Sequence, residues 1–303
     1  MSGNPILTGM GAAAAAAPAL APSIKTDPNT LIQYATLVKL AEAVDPSETK
    51  YQPGDQIPIT YGSSVNVTYT AVTTFYGNDL ATDKNPARGN QIVSFGFVAQ
   101  DPAGNVVVAI RGTEGIYEWL QDAQFLAVRC PFLAGAGFTE DGFTAVYRSL
   151  KSASGPTGVR LADALANLSY PRPATSLTIC GHSLGGALAT LLALDVAGNS
   201  KFLLPTVYTY ASPRTGDPLF ASTYNQVVPS TCRAASRFDL VPKVPLPPLY
   251  QHVNTLFELN PMLQVKTDLL CEHHLTTYLY LISKLGSGPV LPVDPGCQGL
   301  EHS

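Results

Sequence analysis

Between Leu31 and Val44 the apolar residues Leu31, Tyr34, Ala35, Val38, Ala41 and Ala43 or Val44 recur near every 3.6 positions, until Asp45-Pro46 ends the run. This spacing puts one apolar stripe on a helix, so a single amphipathic helix is expected. The period then changes. Val65 to Tyr76, Ile92 to Ala99 and Asn105 to Arg111 are alternating or β-branched runs and predict strands, the last two joined by the hairpin-turn residues Asp101-Pro102-Ala103-Gly104. Farther on, helix and strand alternate: helices over Gly142 to Ser152 and Gly158 to Leu168, a strand over Ser176 to Gly181, a helix over Leu184 to Val196 and a strand over Thr206 to Ala211. An antiparallel start running into βαβ units implies the α/β class, with a mixed, mostly parallel central sheet flanked by helices. Pro242 to Pro248 carries four prolines and should be an irregular surface excursion.

Composition narrows the class further. Of 303 residues only 13% are charged and 46% are hydrophobic, which supplies a large core and excludes a charge-rich disordered chain. No internal repeat or Gly/Ser linker divides the chain, so residues 29–303 are expected to form one α/β domain behind an Ala/Pro-rich extension, residues 1–28. A net charge of −4 without clustered Lys and Arg argues against a nucleic-acid partner. The apolar tract from Gly11 to Ala17 is broken by Pro18 and Pro22, too soon for a transmembrane segment. Ala19-Leu20-Ala21 would suit a signal-peptide cleavage site, but no basic residue precedes Lys25. None of the five cysteines forms a CxxC pair, so neither a thiolate metal site nor a redox pair is expected, and no cofactor is called for. Cys180 falls on a buried strand and should be free; Cys271 with Cys297 and Cys130 with Cys232 are the conceivable bridges.

The strongest chemical signal is Gly181-His182-Ser183-Leu184-Gly185, a G-x-S-x-G directly after the apolar strand Leu177-Thr178-Ile179-Cys180 and directly before a helix. A tight strand-to-helix turn lifts the serine above the sheet, and flanking glycines remove Cβ clashes. The helix N-terminus then favours the anion that acyl transfer develops.

Gly181 to Thr190 (GHSLGGALAT) resembles the nucleophile turn of the class 3 (fungal-type) lipases, which have the α/β-hydrolase fold. Three further blocks are similar to that family in the same order. They are Val107 to Thr113 with Trp119 and Asp122, Tyr208 to Asp217, and Arg233 to Pro245 containing Asp239-Leu240-Val241-Pro242. Ala211 stands where the family usually has Gly, and Phe138 to Phe143 lacks a His often found before the Gly-Phe pair.

This resemblance implies a Ser, Asp, His order for a triad. Ser183 would be the nucleophile and Asp239 the acid, with Asp217 a second candidate whose other reading is a helix cap. Of the histidines after Asp239, which are His252, His273, His274 and His302, the choice lies between His273 and His274. The family's Tyr five residues beyond the base matches His273 with Tyr278, so His273 is taken. The N–H groups of Thr113 and Leu184 would form the oxyanion hole. Ile116, Trp119 and Leu120 would belong to an amphipathic lid, with an ordinary surface helix as the alternative. His182 is grouped with the substrate-binding side chains, packing under the loop being its other reading. Val244 to Leu249 and Leu256 to Leu263 could wall an acyl groove or simply pack in the core.

The expected activity is a serine carboxylic-ester hydrolase acting on hydrophobic or lipid esters through an acyl-enzyme on Ser183, in contact with a lipid–water interface. A feruloyl-type esterase, a phospholipase A1, and a non-catalytic lipid-binding protein that keeps the fold are the alternatives. Family resemblance implies an extracellular protein.

Overall fold

A computed structural model describes residues 24–43, 51–78, 92–113, 125–153, 159–200, 202–260 and 265–299. The Ala/Pro-rich extension up to residue 23, Asp45-Pro46, the lid residues Ile116, Trp119 and Leu120, and His302 lie outside the described residues.

The first helix, α1 (Pro28–Glu42), is capped by Asp27, which accepts the Thr30 N–H, and Pro28 sits in its first turn. Strands β1 (Gln56–Tyr61), β2 (Val65–Asn78), β3 (Ile92–Gln100) and β4 (Asn105–Ile110) follow and pair antiparallel in that order. Asp101 closes the β3–β4 hairpin by accepting the N–H groups of Ala103 and Asn105, and Gly104 takes φ +90°.

Beyond β4, the strands β8 (Ser176–His182), β9 (Pro205–Tyr210), β10 (Thr231–Ser236) and β11 (Thr255–Leu259) add in parallel, giving the order β1-β2-β3-β4-β8-β9-β10-β11. Off this path β7 (Lys151–Ser152) pairs with β2, while β5 (Ala127–Arg129) and β6 (Phe138–Glu140) make a separate ribbon. The helix expected over Gly142 to Ser152 is shorter, α2 (Asp141–Ser149), because Lys151 and Ser152 pair with β2 instead. The next, α3 (Leu161–Leu165), is a single turn and a half.

Alternation along the strands sorts the core into two layers. On one face Val106, Val108, Leu177 and Ile179 pack with α2, α3, α4 (Leu184–Asn199) and α5 (Pro218–Val227); on the other, Val107, Ala109, Cys180 and Tyr210 pack with α1 and α7 (Leu275–Ser283). Every residue of α4 from Leu184 to Val196 is buried; the run is apolar apart from Thr190 and Asp195, and Asp195 is held by Tyr147 and Arg160.

Of the two conceivable bridges, Cys271–Cys297 forms. Cys130 and Cys232 do not pair, because they lie in core layers on opposite faces of the sheet. Cys180 is free and buried.

Candidate active site

Ser183 lies between the end of β8 and the start of α4 with φ +57° and ψ −127°. That region strains any residue with a Cβ, by roughly 1–3 kcal/mol. Neighbouring glycines permit the turn: a Cβ on Gly181 would sit 2.1 Å from the Gly185 carbonyl oxygen, and one on Gly185 would sit 2.4 Å from that of Arg111. The Ser183 N–H is held by the Tyr210 carbonyl at 2.9 Å. Ala211 itself takes φ +54°, in the left-handed region that a glycine enters without a Cβ penalty.

Three side chains meet at this turn. Ser183 Oγ is 2.8 Å from His273 Nε2, and His273 Nδ1 is 2.9 Å from Asp239 Oδ2. All three are buried, Ser183 at 1% exposure, His273 at 5% and Asp239 at 0%. His273 ends the short helix α6 (Leu269–His273), whose N-cap Asp268 accepts the Cys271 N–H. Asp239 follows β10, and its Oδ1 accepts the Val241 N–H at 2.9 Å. Burial holds the His273 imidazole below its usual pKa, and attraction to Asp239 offsets this only in part.

Other candidates are committed elsewhere. His274 is exposed and supplies its carbonyl to the N–H groups of Thr277 and Tyr278 at the start of α7. Asp217 caps α5 by accepting the Phe220 N–H at 2.7 Å. His252 Nε2 lies 2.6 Å from the Pro242 carbonyl, and burial with nearby Arg233 pushes its pKa down to about 3.

His182, grouped with the substrate-binding side chains in the sequence reading, lies within the packing beneath the turn. It is 6% exposed, and its two ring nitrogens are engaged by Glu42 and the His273 carbonyl, which matches the packing alternative. Thr113 is buried one residue beyond Gly112, at which a Cβ would lie 3.1 Å from that of Ser183. The loop after β4 therefore lies against the nucleophile turn. Leu184 opens α4, where an N–H has no acceptor within its own helix.

Two participants had no role in the sequence reading. Tyr278 donates its hydroxyl to Asp239 Oδ2 at 2.8 Å, and Glu42 reaches the site from the end of α1. The tyrosine was visible as a spacing marker only; the glutamate carried no signal at all.

The expected groove walls divide. Leu246 and Leu249 are 67% and 75% exposed, and Leu256, at 46%, lies on the edge strand β11. A cavity of about 520 Å³ beside Asp239 takes in Leu256, but Arg233, Arg237, Lys243 and Glu258 also line it, and neither Ser183 nor His273 does. Charged side chains line it and the nucleophile does not, which argues against an acyl groove there. Among the described residues no cluster of His, Cys, Asp and Glu could hold a metal, and no helix is long and apolar enough to cross a membrane.

Residues 107–248 match the sequence model of the family described as "Lipase (class 3)". This central segment of the chain belongs to the class 3 lipase family. The chain's α/β-hydrolase fold is shared with the crystal structure of Lip2 lipase from Yarrowia lipolytica. That pair is 21% identical with a TM-score of 0.55, and the match covers 82% of this chain and 84% of the other. Among class 3 relatives, the secreted mono- and diacylglycerol lipase A of Penicillium cyclopium is 30% identical over 205 residues, 67% of this chain and 61% of its own length. Phospholipase A1-II 3 of Oryza sativa subsp. japonica is 33% identical over 175 residues, 50% of this chain and 41% of its own. The matched part of the chain thus spans about three fifths of the fungal relative and two fifths of the plant one.

Proposed function

We propose that the protein hydrolyses carboxylic esters of hydrophobic acyl chains, with acylglycerols as the substrate class. The reading rests on one observation above the rest: the continuous line from Ser183 Oγ through His273 to Asp239, at 2.8 and 2.9 Å.

In this reading Ser183 Oγ attacks the ester carbonyl carbon while its proton passes to His273 Nε2, and Asp239 holds the resulting imidazolium. The carbonyl oxygen, now negative, is received by the N–H groups of Thr113 and Leu184. Collapse breaks the bond to the alcohol oxygen, which leaves with the proton from His273. Water then repeats the sequence on the acyl-enzyme, giving the acid and restoring Ser183. No cofactor takes part.

Ser183 is 1% exposed, so the reading requires the site to open before a substrate enters. The lid role for Ile116, Trp119 and Leu120 is part of the proposal. Phe238 and Leu240, 48% and 44% exposed on either side of Asp239, offer apolar surface for a lipid. Export is proposed as well, since the Penicillium relative is named a secreted lipase and the Cys271–Cys297 bridge suits an oxidising compartment.

A fluorophosphonate probe should label Ser183 and abolish hydrolysis of a nitrophenyl ester chain-length series. Emulsified mono-, di- and triacylglycerols, phosphatidylcholine vesicles and a feruloyl ester then rank the substrate classes. Preference for the phospholipid would move the reading to phospholipase A1, the activity named for the rice relative. Absence of both label and turnover would leave the non-catalytic lipid-binding alternative.

A further inference from the structure

Glu42 is the last residue of α1, far in sequence from every residue of the proposed triad. Its Oε1 lies 2.7 Å from His182 Nδ1, and Gly112 lies against the same histidine, where a Cβ would come within 3.4 Å of His182 Nδ1 and 3.1 Å of the His182 carbonyl oxygen. On the other side of the ring, His182 Nε2 lies 2.8 Å from the main-chain carbonyl of His273. The His182 and His273 rings lie 4.8 Å apart, tilted by 34°, and the Tyr278 and His182 rings lie 6.2 Å apart in an edge-to-face arrangement.

A proton inventory fixes the state of this chain of contacts. A carbonyl can only accept, so His182 Nε2 must carry a hydrogen. A neutral imidazole has one N–H, which would leave Nδ1 bare against a carboxylate oxygen, lone pair to lone pair. A proton must therefore lie between Nδ1 and Oε1. Burial disfavours the charged carboxylate, but His182 and the Gly112 N–H outweigh it and lower the pKa of Glu42. Burial likewise opposes the imidazolium, yet the charge and hydrogen bond of Glu42 raise the pKa of His182. The proton belongs to the imidazole.

We propose that Glu42 is a positioning residue that keeps His182 as an imidazolium strut, tying the oxyanion loop at Gly112 to the main chain of the base His273. The inference rests on the roles proposed above for Ser183 and His273. The groups facing the strut are Glu42 from α1, His273 from α6, Tyr278 from α7 and, at longer range, Asp239. The positive ring next to His273 repels a second proton, and Glu42 counters this more weakly. His273 is thereby kept neutral and ready to accept the hydrogen of Ser183.

Glu42→Gln is the decisive variant, since the amide can donate to Nδ1 while removing the charge that holds the extra proton. The acid limb of kcat/KM should move to higher pH by on the order of half to one unit, and Glu42→Asp should restore most of the wild-type profile. Superimposable profiles for wild type and Glu42→Gln overturn the proposal. A second measurement reads the wild-type protein and does not depend on turnover. In ¹⁵N-histidine spectra of the wild-type protein, with His182 assigned by difference against His182→Asn, both ring nitrogens should be protonated at pH 7.5. A neutral His182 there overturns the proposal even if Ser183-dependent hydrolysis is found. A protonated His182 in a protein without such hydrolysis would instead defeat the functional reading and leave the strut.

Discussion

Tyr278 and His273 share one oxygen: the tyrosine hydroxyl and the imidazole Nδ1 approach Asp239 Oδ2 at 2.8 and 2.9 Å. The same hydroxyl accepts the Ser236 N–H at 3.0 Å. With Val241 N–H on its other oxygen, the fully buried carboxylate has three donors, the condition under which a charge can stay in the interior. Tyr278→Phe leaves Ser236 N–H without its acceptor and Asp239 with one donor fewer. It should cost about 1–3 kcal/mol of stability and lower kcat roughly tenfold with KM little changed. Chemical denaturation and steady-state kinetics check both, and an unchanged kcat would remove Tyr278 from the positioning of the acid.

The proposed triad predicts a pattern of non-additive losses. Ser183→Ala and His273→Ala should each lower turnover by on the order of 10⁴, with the double variant little worse, because the two residues act as a unit. His274→Ala, changing an exposed side chain, should stay within a few-fold of wild type. Silencing by His274→Ala alone would reassign the base.

Hydrolysis should persist into mildly acidic solution. Burial keeps His273 below its ordinary value, so the base is still neutral when a free imidazole, near pH 6.5, would be half protonated. The acid limb of kcat/KM should therefore have its midpoint below about 6.5. A midpoint above that value would mean that Asp239, not burial, governs the base.

Stability should move with pH in the same sense. His252 is neutral in the folded protein down to about pH 3, for reasons of burial and the Arg233 charge, whereas in the unfolded chain it protonates near 6.5. The unfolded state binds the extra proton, so stability is full above about 6.5 and falls as pH drops towards 3. The melting temperature should decline over that window, and His252→Gln should flatten the decline. An equal slope in the variant would place the acid sensitivity elsewhere.

Reduction of Cys271–Cys297, which closes a loop with a sequence separation of 26, should destabilise the fold by roughly 3 kcal/mol on chain-entropy grounds. Cys271 lies two residues before His273 on α6, so esterase activity under dithiothreitol should fall before the global unfolding signal changes. Simultaneous loss of both would show that the bridge secures the whole domain equally.

Much of the framework could be read from the chain because local chemistry and global fold agree there. The strand–Ser183–helix turn, the Asp101 hairpin and the apolar α4 each announce themselves within a dozen residues. The strands Gln56–Tyr61 and Thr255–Leu259 were not singled out, since Pro58 interrupts one and Glu258 the other, and such edge strands need only half a buried face. The helix end at Ser149 was set too late because β-pairing by Lys151 and Ser152 is a long-range event. At the site, Ser183, Asp239 and His273 were reached by order and motif. Glu42 was not, because a single polar residue ending an amphipathic helix looks the same whether it faces water or an imidazole, and only the packing of α1 beneath the sheet distinguishes them.

The hold on α1 is distributed along its length. Tyr208 and Tyr210 reach from β9 to the carbonyls of Lys25 and Leu31, Tyr34 stacks on Tyr208, and Glu42 ends the helix at His182. The family match begins only at Val107, and anyone trimming the gene to that boundary would discard the beam on which the reactive turn is braced. A minimal version of this domain should begin no later than about Lys25, and libraries aimed at its pH range gain a target that sequence profiles of the central segment do not contain.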